Sequence, residues 1–200
     1  MACTSCKKGA GVRNTLWIAV RFTVVTAILL GIVYPLAITG IAQMTMPGKA
    51  NGQLIARNGM VIGSKIIGQN FSGARYFHGR PSAAGNGYDA ASSGGSNVAQ
   101  SNAAFVDRAQ AAIAEYQKQN PGRDVPIELV TTSASGLDPD ISPAAALYQV
   151  HTIATARRLP ESTVRALVDK HIQARTFGLL GEARVNVLKL NLALDQLDLR

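Results

Sequence analysis

Only two cysteines occur in 200 residues, Cys3 and Cys6, so no disulfide can form anywhere beyond the sixth position. A lone Cys-x-x-Cys also falls short of structural zinc, which takes four ligands, and the surrounding tail offers no further Cys or His. Aromatics make up 6% of the chain, with one Trp, and no basic patch interleaved with them marks a nucleic-acid binder. The three histidines, His78, His151 and His171, fall in different predicted elements, and none has a spacing partner that would make a metal site. G-x-S-x-G, H-E-x-x-H and Walker A patterns are all missing, which removes three common routes to hydrolytic and nucleotide chemistry. No acid stands before Gln43, so the early charge is of one sign: Lys7, Lys8, Arg13 and Arg21.

Directly after those four cations comes the chain's one long apolar run, Phe22 to Ala42. At about 1.5 Å per helical residue it covers roughly 30 Å, a hydrocarbon core. One transmembrane helix over 16–42 is predicted, after a tail at 1–15 and before an outer domain at 43–200. Positive residues ahead of the span place the N-terminus in the cytoplasm and the domain outside. A cleavable signal peptide has the same charge pattern, and Gly40-Ile41-Ala42 loosely resembles a cleavage site. Its apolar region is only about 7–15 residues, however, and this run is longer.

Within the span, Thr23, Ala27, Gly31, Pro35 and Thr39 recur every fourth residue, a slowly rotating stripe of small or kinking side chains that lets another helix approach closely. Pro35 lacks a backbone donor and deprives the carbonyl of Gly31 of its usual partner, a defect best tolerated under a neighbouring protein. Arg21 at the cytoplasmic edge snorkels to lipid head groups.

The 158 residues from 43 onward suit one globular domain. Of the net charge of +8, half belongs to the N-terminal segment and half to the outer domain, a balance that reflects topology more than ligand. From Gly63 to Asn102 the chain is dense in Gly, Ser and Asn, an ordered, loop-heavy region. Ser101-Asn102 caps a helix to about Gln119, stopped by Asn120-Pro121-Gly122. Val125 to Thr132 is β-prone, with Glu128 alternating against Ile127 and Leu129. Ser142-Pro143 opens a helix through about Arg158. Beyond Pro160 a further amphipathic helix places Val164, Leu167, Val168, His171 and Ile172 on one side. Ala183 to Leu194 alternates in part and predicts a strand or strand pair. The fold class is one N-terminal transmembrane helix followed by an α+β domain with a small sheet and about three helices.

Two chemical candidates remain in the outer domain. Asp138-Pro139-Asp140 sets two carboxylates together before a helix, the pattern of a cap and dipole complement more than of an acid–base pair. Ser92-Ser93-Gly94-Gly95-Ser96-Asn97 could form a nest for an anion or nucleotide phosphate, though it contains no cation and reads first as a turn cluster.

Six stretches in order carry a resemblance: Asn51 to Leu54, Ile67 to Phe71, Tyr76 to Ala83, Ser93 to Asn97, Val130 to Asp138 and Val185 to Asp195. Together they resemble the C subunit of the bacterial Kdp potassium-transporting P-type ATPase, from about Leu16 to the C-terminus. The sequence departs from that pattern at Ala103, where the family usually has Pro, and at Lys189, where an acid is common. The resemblance implies a complex with a channel-like A subunit, a pump B subunit and a small F subunit, in the bacterial inner membrane. It implies no catalysis by this chain, with ATP and K+ handled at the level of the complex and no cofactor bound directly. The family has also been described as a catalytic chaperone that raises the pump's ATP affinity, which conflicts with an outer domain on the face opposite the nucleotide. The resemblance therefore implies an accessory role in assembly and in shaping ion access, the main alternatives being a membrane-anchored anion- or nucleotide-binding module and an exported hydrolase. Arg75, Arg80, Asn97, Ser101 and Asn102 are the candidate partner-facing loop residues.

Overall fold

The computed structural model describes residues 8–99 and 101–197, so Cys3 and Cys6 lie outside the described residues. Two compact units divide the chain, Met1–Gly52 and Gln53–Arg200.

The first unit is helical. Helix α1, Lys8–Ile28, runs through a π turn, Leu29–Val33, into α2, Tyr34–Thr45, and a single-turn α3, Pro47–Ala50, comes next. Gly11–Thr45 is long and apolar enough to cross a membrane, with a mean hydropathy of 2.3 and none of that window buried within the chain. Its 35 residues extend about 52 Å, so the helix overruns the predicted 16–42 span at both ends. The end is fastened locally: Met46 donates its N–H to Ala42 O at 2.8 Å, and the amides of Gln43 and Asn51 pair both ways at 3.1 Å.

The second unit begins with an antiparallel hairpin, β1, Leu54–Arg57, and β2, Met60–Ser64. Asn58 and Gly59 turn it with φ of 54° and 77°, the doubly left-handed geometry that Asn-Gly supplies. Loops then lead to α4, Ala103–Gln119, whose N-cap Asn102 accepts from Ala104 N at 2.9 Å. Strand β3, Asp140–Ile141, precedes α5, Pro143–Arg157, capped by Ser142 as its sequence predicts. Helix α6, Glu161–His171, leads into β4, Ile172–Gln173; β5, Arg184–Asn186, then passes directly into α7, Val187–Leu197. The three short strands form one antiparallel sheet with β5 in the centre.

Two predicted elements differ. Residues 125–132 are no strand but a 3-10 turn, Ile127–Leu129, in which Val130 N donates to Ile127 O at 3.1 Å. Ile127 is exposed and Leu129 buried, so the two do not share a face, and the Glu128 carboxylate accepts from Ser142 N at 2.7 Å. At the C-terminus the expected strand lasts three residues and becomes a fourth substantial helix. Asn186 Oδ1 accepts from Lys189 N at 3.1 Å and starts it, and Val187, Leu190, Asn191 and Leu194 then recur at helical spacing inside the core.

The core joins α5, α6 and α7 to the sheet through Val150, Ile153, Val164, Val168, Val185, Leu190 and Leu194, with Phe77 from the loop region set into it. Phe77 is one point at which the loop-rich half is fixed to the helical half.

Candidate functional site

The segment 75–80 is held at its backbone by polar side chains of two helices. Asn191 on α7 accepts from Phe77 N at 2.8 Å and donates to Phe77 O at 2.9 Å. Gln149 on α5 does the same for His78, accepting from its N–H at 2.8 Å and donating to its carbonyl at 3.1 Å. Arg157, also on α5, donates through Nε to Arg75 O at 2.6 Å and through Nη2 to Asp195 at 2.9 Å, and its guanidinium lies 4.8 Å from the Tyr76 ring centroid. A carboxamide presents one donor and one acceptor side by side, so each of the two replaces one partner residue of a missing β-strand.

From this seat the remaining loops interlock. Arg80 reaches Thr132 O at 3.1 Å and Asp138 at 3.6 Å. Ser82 Oγ donates to Gly136 O at 2.6 Å and accepts from Tyr88 N at 2.7 Å. A Cβ on Gly136 would meet Ala84 N and Gly94 O, both at 2.7 Å, and its φ of +66° is left-handed, so only glycine fits without displacing both neighbouring loops. The six resembling stretches therefore include the parts of one interlocked block, with Tyr76–Ala83, Ser93–Asn97, Val130–Asp138 and Val185–Asp195 in mutual contact.

Several groups of the Gly-Ser segment are committed within the fold, as the turn-cluster reading expects. Gly94 N donates to Ser135 O at 2.9 Å, Ser93 Oγ donates to the same carbonyl at 2.9 Å, and Ser96 Oγ accepts from Thr132 Oγ1 at 3.3 Å. Those groups are spent inside the fold, and Gly95 has no room for a Cβ beyond 3.0 Å from Ala134 O. The cap expected of the Asp138–Asp140 pair is not found. Instead of capping α5, Asp138 accepts from Asp140 N at 3.1 Å and faces Arg80, while Asp140 accepts from Asn186 at 2.9 Å and pairs with Arg184 at 3.0 Å.

A cleft of about 300 Å³ lies beside segment 75–80, lined in part by Asn70, His78, Arg80, Tyr88 and Tyr116. Two of its groups are engaged in structure: His78 Nε2 sits 3.0 Å from Gly73 O and Tyr88 Oη donates to Arg80 O at 2.6 Å. Burial pushes the Tyr88 phenol up, assisted by Tyr116 and Asp138, and burial likewise raises Tyr116, beside Tyr148. No nucleophile stands against a base here, and no group of three His, Cys, Asp or Glu that could hold a metal occurs among the described residues.

The five candidate loop residues differ in their surroundings. Arg80 turns inward to its carbonyl and carboxylate, Asn102 caps α4, and Arg75 gives its carbonyl to Arg157. Asn97, at φ of 51°, and Ser101 are exposed.

In the apolar helix, Thr23, Ala27, Gly31, Pro35 and Thr39 are all exposed. The π turn lies among them, with Tyr34 N donating to Leu29 O one residue ahead of the proline. In an unbroken α-helix each four-residue step drifts about 40°, leaving Thr23 and Thr39 about 160° apart. One residue absorbed in a π turn withdraws about 100° and returns them to within about 60° of a common face. The π turn ahead of the proline thus realigns the stripe, a coupling that spacing alone does not reveal.

The family model described as KdpC, K+-transporting ATPase, c chain, matches residues 16–196. The chain is 60% identical over 185 residues to the potassium-transporting ATPase KdpC subunit of Acidobacterium capsulatum, covering 92% of this chain and 99% of that one. It is 52% identical over 183 residues to the protein of the same name from Koribacter versatilis, at 92% and 95% coverage. It is 51% identical over 189 residues to that from Bradyrhizobium diazoefficiens, at 88% and 94%.

Proposed function

Since the chain belongs to the KdpC family, the c chain of K+-transporting ATPases, we propose that it is an accessory subunit that holds the channel-like A, pump B and small F subunits in one assembly. The observation that carries this reading is the apolar helix, none of whose candidate window is buried within its own chain and whose small residues are brought towards one face by a π turn. Such a surface loses little in lipid and gains close packing against another helix.

The N-terminus lies in the cytoplasm and the second unit outside the bacterial inner membrane, with the outer unit docked over the external mouth of the A subunit, where it shapes ion access. The chain contributes no catalysis. ATP and K+ are handled by the other subunits, and any effect on the pump's ATP affinity passes through the membrane helices, since the outer unit lies on the face opposite the nucleotide. Replacing Gly31 by Leu and purifying from native membrane in mild detergent tests the reading. Loss of the A and B subunits from the purified material is expected; full recovery of both overturns it.

A further inference from the structure

Strands β4 and β5 are joined by a loop, 174–183, whose tip is apolar and lies in solvent. Phe177 is 90% exposed, Leu179 82% and Leu180 63%. The loop is nevertheless built. Thr176 and Leu180 exchange both backbone hydrogen bonds at 2.9 Å, Gly178 N donates to Arg175 O at 3.1 Å, and an Arg175–Glu182 ion pair of 2.6 Å closes the base. Its root is the central strand of the sheet, where Val185 is wholly buried. Phe177 holds φ of 54°, a left-handed conformation that a bulky residue adopts only at a cost and that Asn or Gly would adopt freely. Strain, exposure and apolar character meet in one residue, and none of the three helps this chain fold.

We infer that this finger is a docking anchor that inserts into an apolar pocket on the extracytoplasmic side of a membrane-embedded sister subunit. A lipid surface accepts an apolar tip in any conformation and gives no reason to fix one by a strained turn and an ion pair. A soluble partner is disfavoured by size, because three such side chains offer roughly 400–500 Å², short of the about 800 Å² per partner of a stable complex. A contact that small works when its partner is already held nearby, and a protein co-anchored in the same bilayer as Gly11–Thr45 satisfies that condition. The anchor rests on the subunit reading proposed for this chain and supplies one contact that would carry it.

The test places the photo-cross-linker p-benzoylphenylalanine at position 177 of the full chain, expressed with its sister subunits and irradiated in native membranes. A covalent adduct to a sister subunit, identified by mass, is expected. Adducts to lipid alone, or none while the chain still co-purifies with its sisters, overturn the anchor and leave the subunit reading standing. Failure of the chain to co-purify with any sister overturns both. Phe177→Asn supplies the second measurement. It keeps the left-handed turn, so melting of the outer unit should hold or rise by about 2–4 °C, while the sister subunits dissociate about tenfold faster. An unchanged dissociation rate overturns the proposal.

Discussion

The carboxamide of Asn191 takes both the N–H and the carbonyl of Phe77, at 2.8 and 2.9 Å, with a side chain from a helix doing for that residue what a neighbouring strand would do. Asn191 is 1% exposed and Phe77 is completely buried, so neither peptide group has water to fall back on.

Asn191→Ala therefore leaves a donor and an acceptor unsatisfied in the core. The expected cost is about 3 kcal/mol, or roughly 6–12 °C in the unfolding of the outer unit, followed by near-UV circular dichroism in detergent. Asn191→Leu should be as damaging despite its better packing, because the loss lies in hydrogen bonds rather than volume.

Arg157 and Asp195 provide a second check. The Arg157 side chain is 1% exposed, so Asp195→Ala takes a carboxylate away from a buried charge, and Arg157→Ala removes the bond to Arg75 O and the stacking on Tyr76 besides. Each single change should destabilise, the arginine change more, and the double mutant should fall short of their sum by about 1–2 kcal/mol in a thermodynamic cycle.

Gly136→Ala forces a Cβ to within 2.7 Å of two backbone atoms, whereas Gly122→Ala, also left-handed at φ of 74°, meets open space. The first should cost several times the second, which should cost about 1 kcal/mol. Hydrogen exchange at Gly94 N, bonded to Ser135 O, should accelerate in the Gly136 variant alone.

Tyr88 and Tyr116 are both shifted upward from 10.0, so the folded state binds their protons more tightly than the unfolded chain does. Their contribution is complete below about pH 10 and is lost as pH rises through the raised folded values. Absorbance at 295 nm should show tyrosines ionising late, the alkaline unfolding transition should coincide with them, and Tyr88→Phe should flatten that transition.

In the membrane helix, Pro35→Ala restores the missing donor and allows the ladder to run as an uninterrupted α-helix. Thr23 and Thr39 should then swing about 100° further apart, and recovery of the large subunits with this chain should drop although no small residue of the stripe has been enlarged.

The caps at Asn102 and Ser142, the breaks at Pro121 and Pro160, and the long apolar run were legible because each is a local rule satisfied within a few residues. Asn58-Gly59, the strongest hairpin signal in the chain, also obeys a local rule, yet the glycine-rich texture that begins just beyond it masks the turn. Residues 187–194 misled because Val187, Leu188, Leu190, Leu192 and Leu194 satisfy period two and period 3.6 together, and the arbiter was the capping side chain of Asn186. The seat of 75–80 was illegible in principle. Phe77 and Asn191 are 114 residues apart, and an Asn among leucines gives no sign of which peptide it will grip.

Asn191, Gln149 and Arg157 hold main-chain atoms of Phe77, His78 and Arg75, whatever side chains those residues carry. Backbone position and surface chemistry are thereby governed by different parts of the chain. One exchange deep in α5 or α7 therefore displaces a stretch of surface whose own residues are all unaltered.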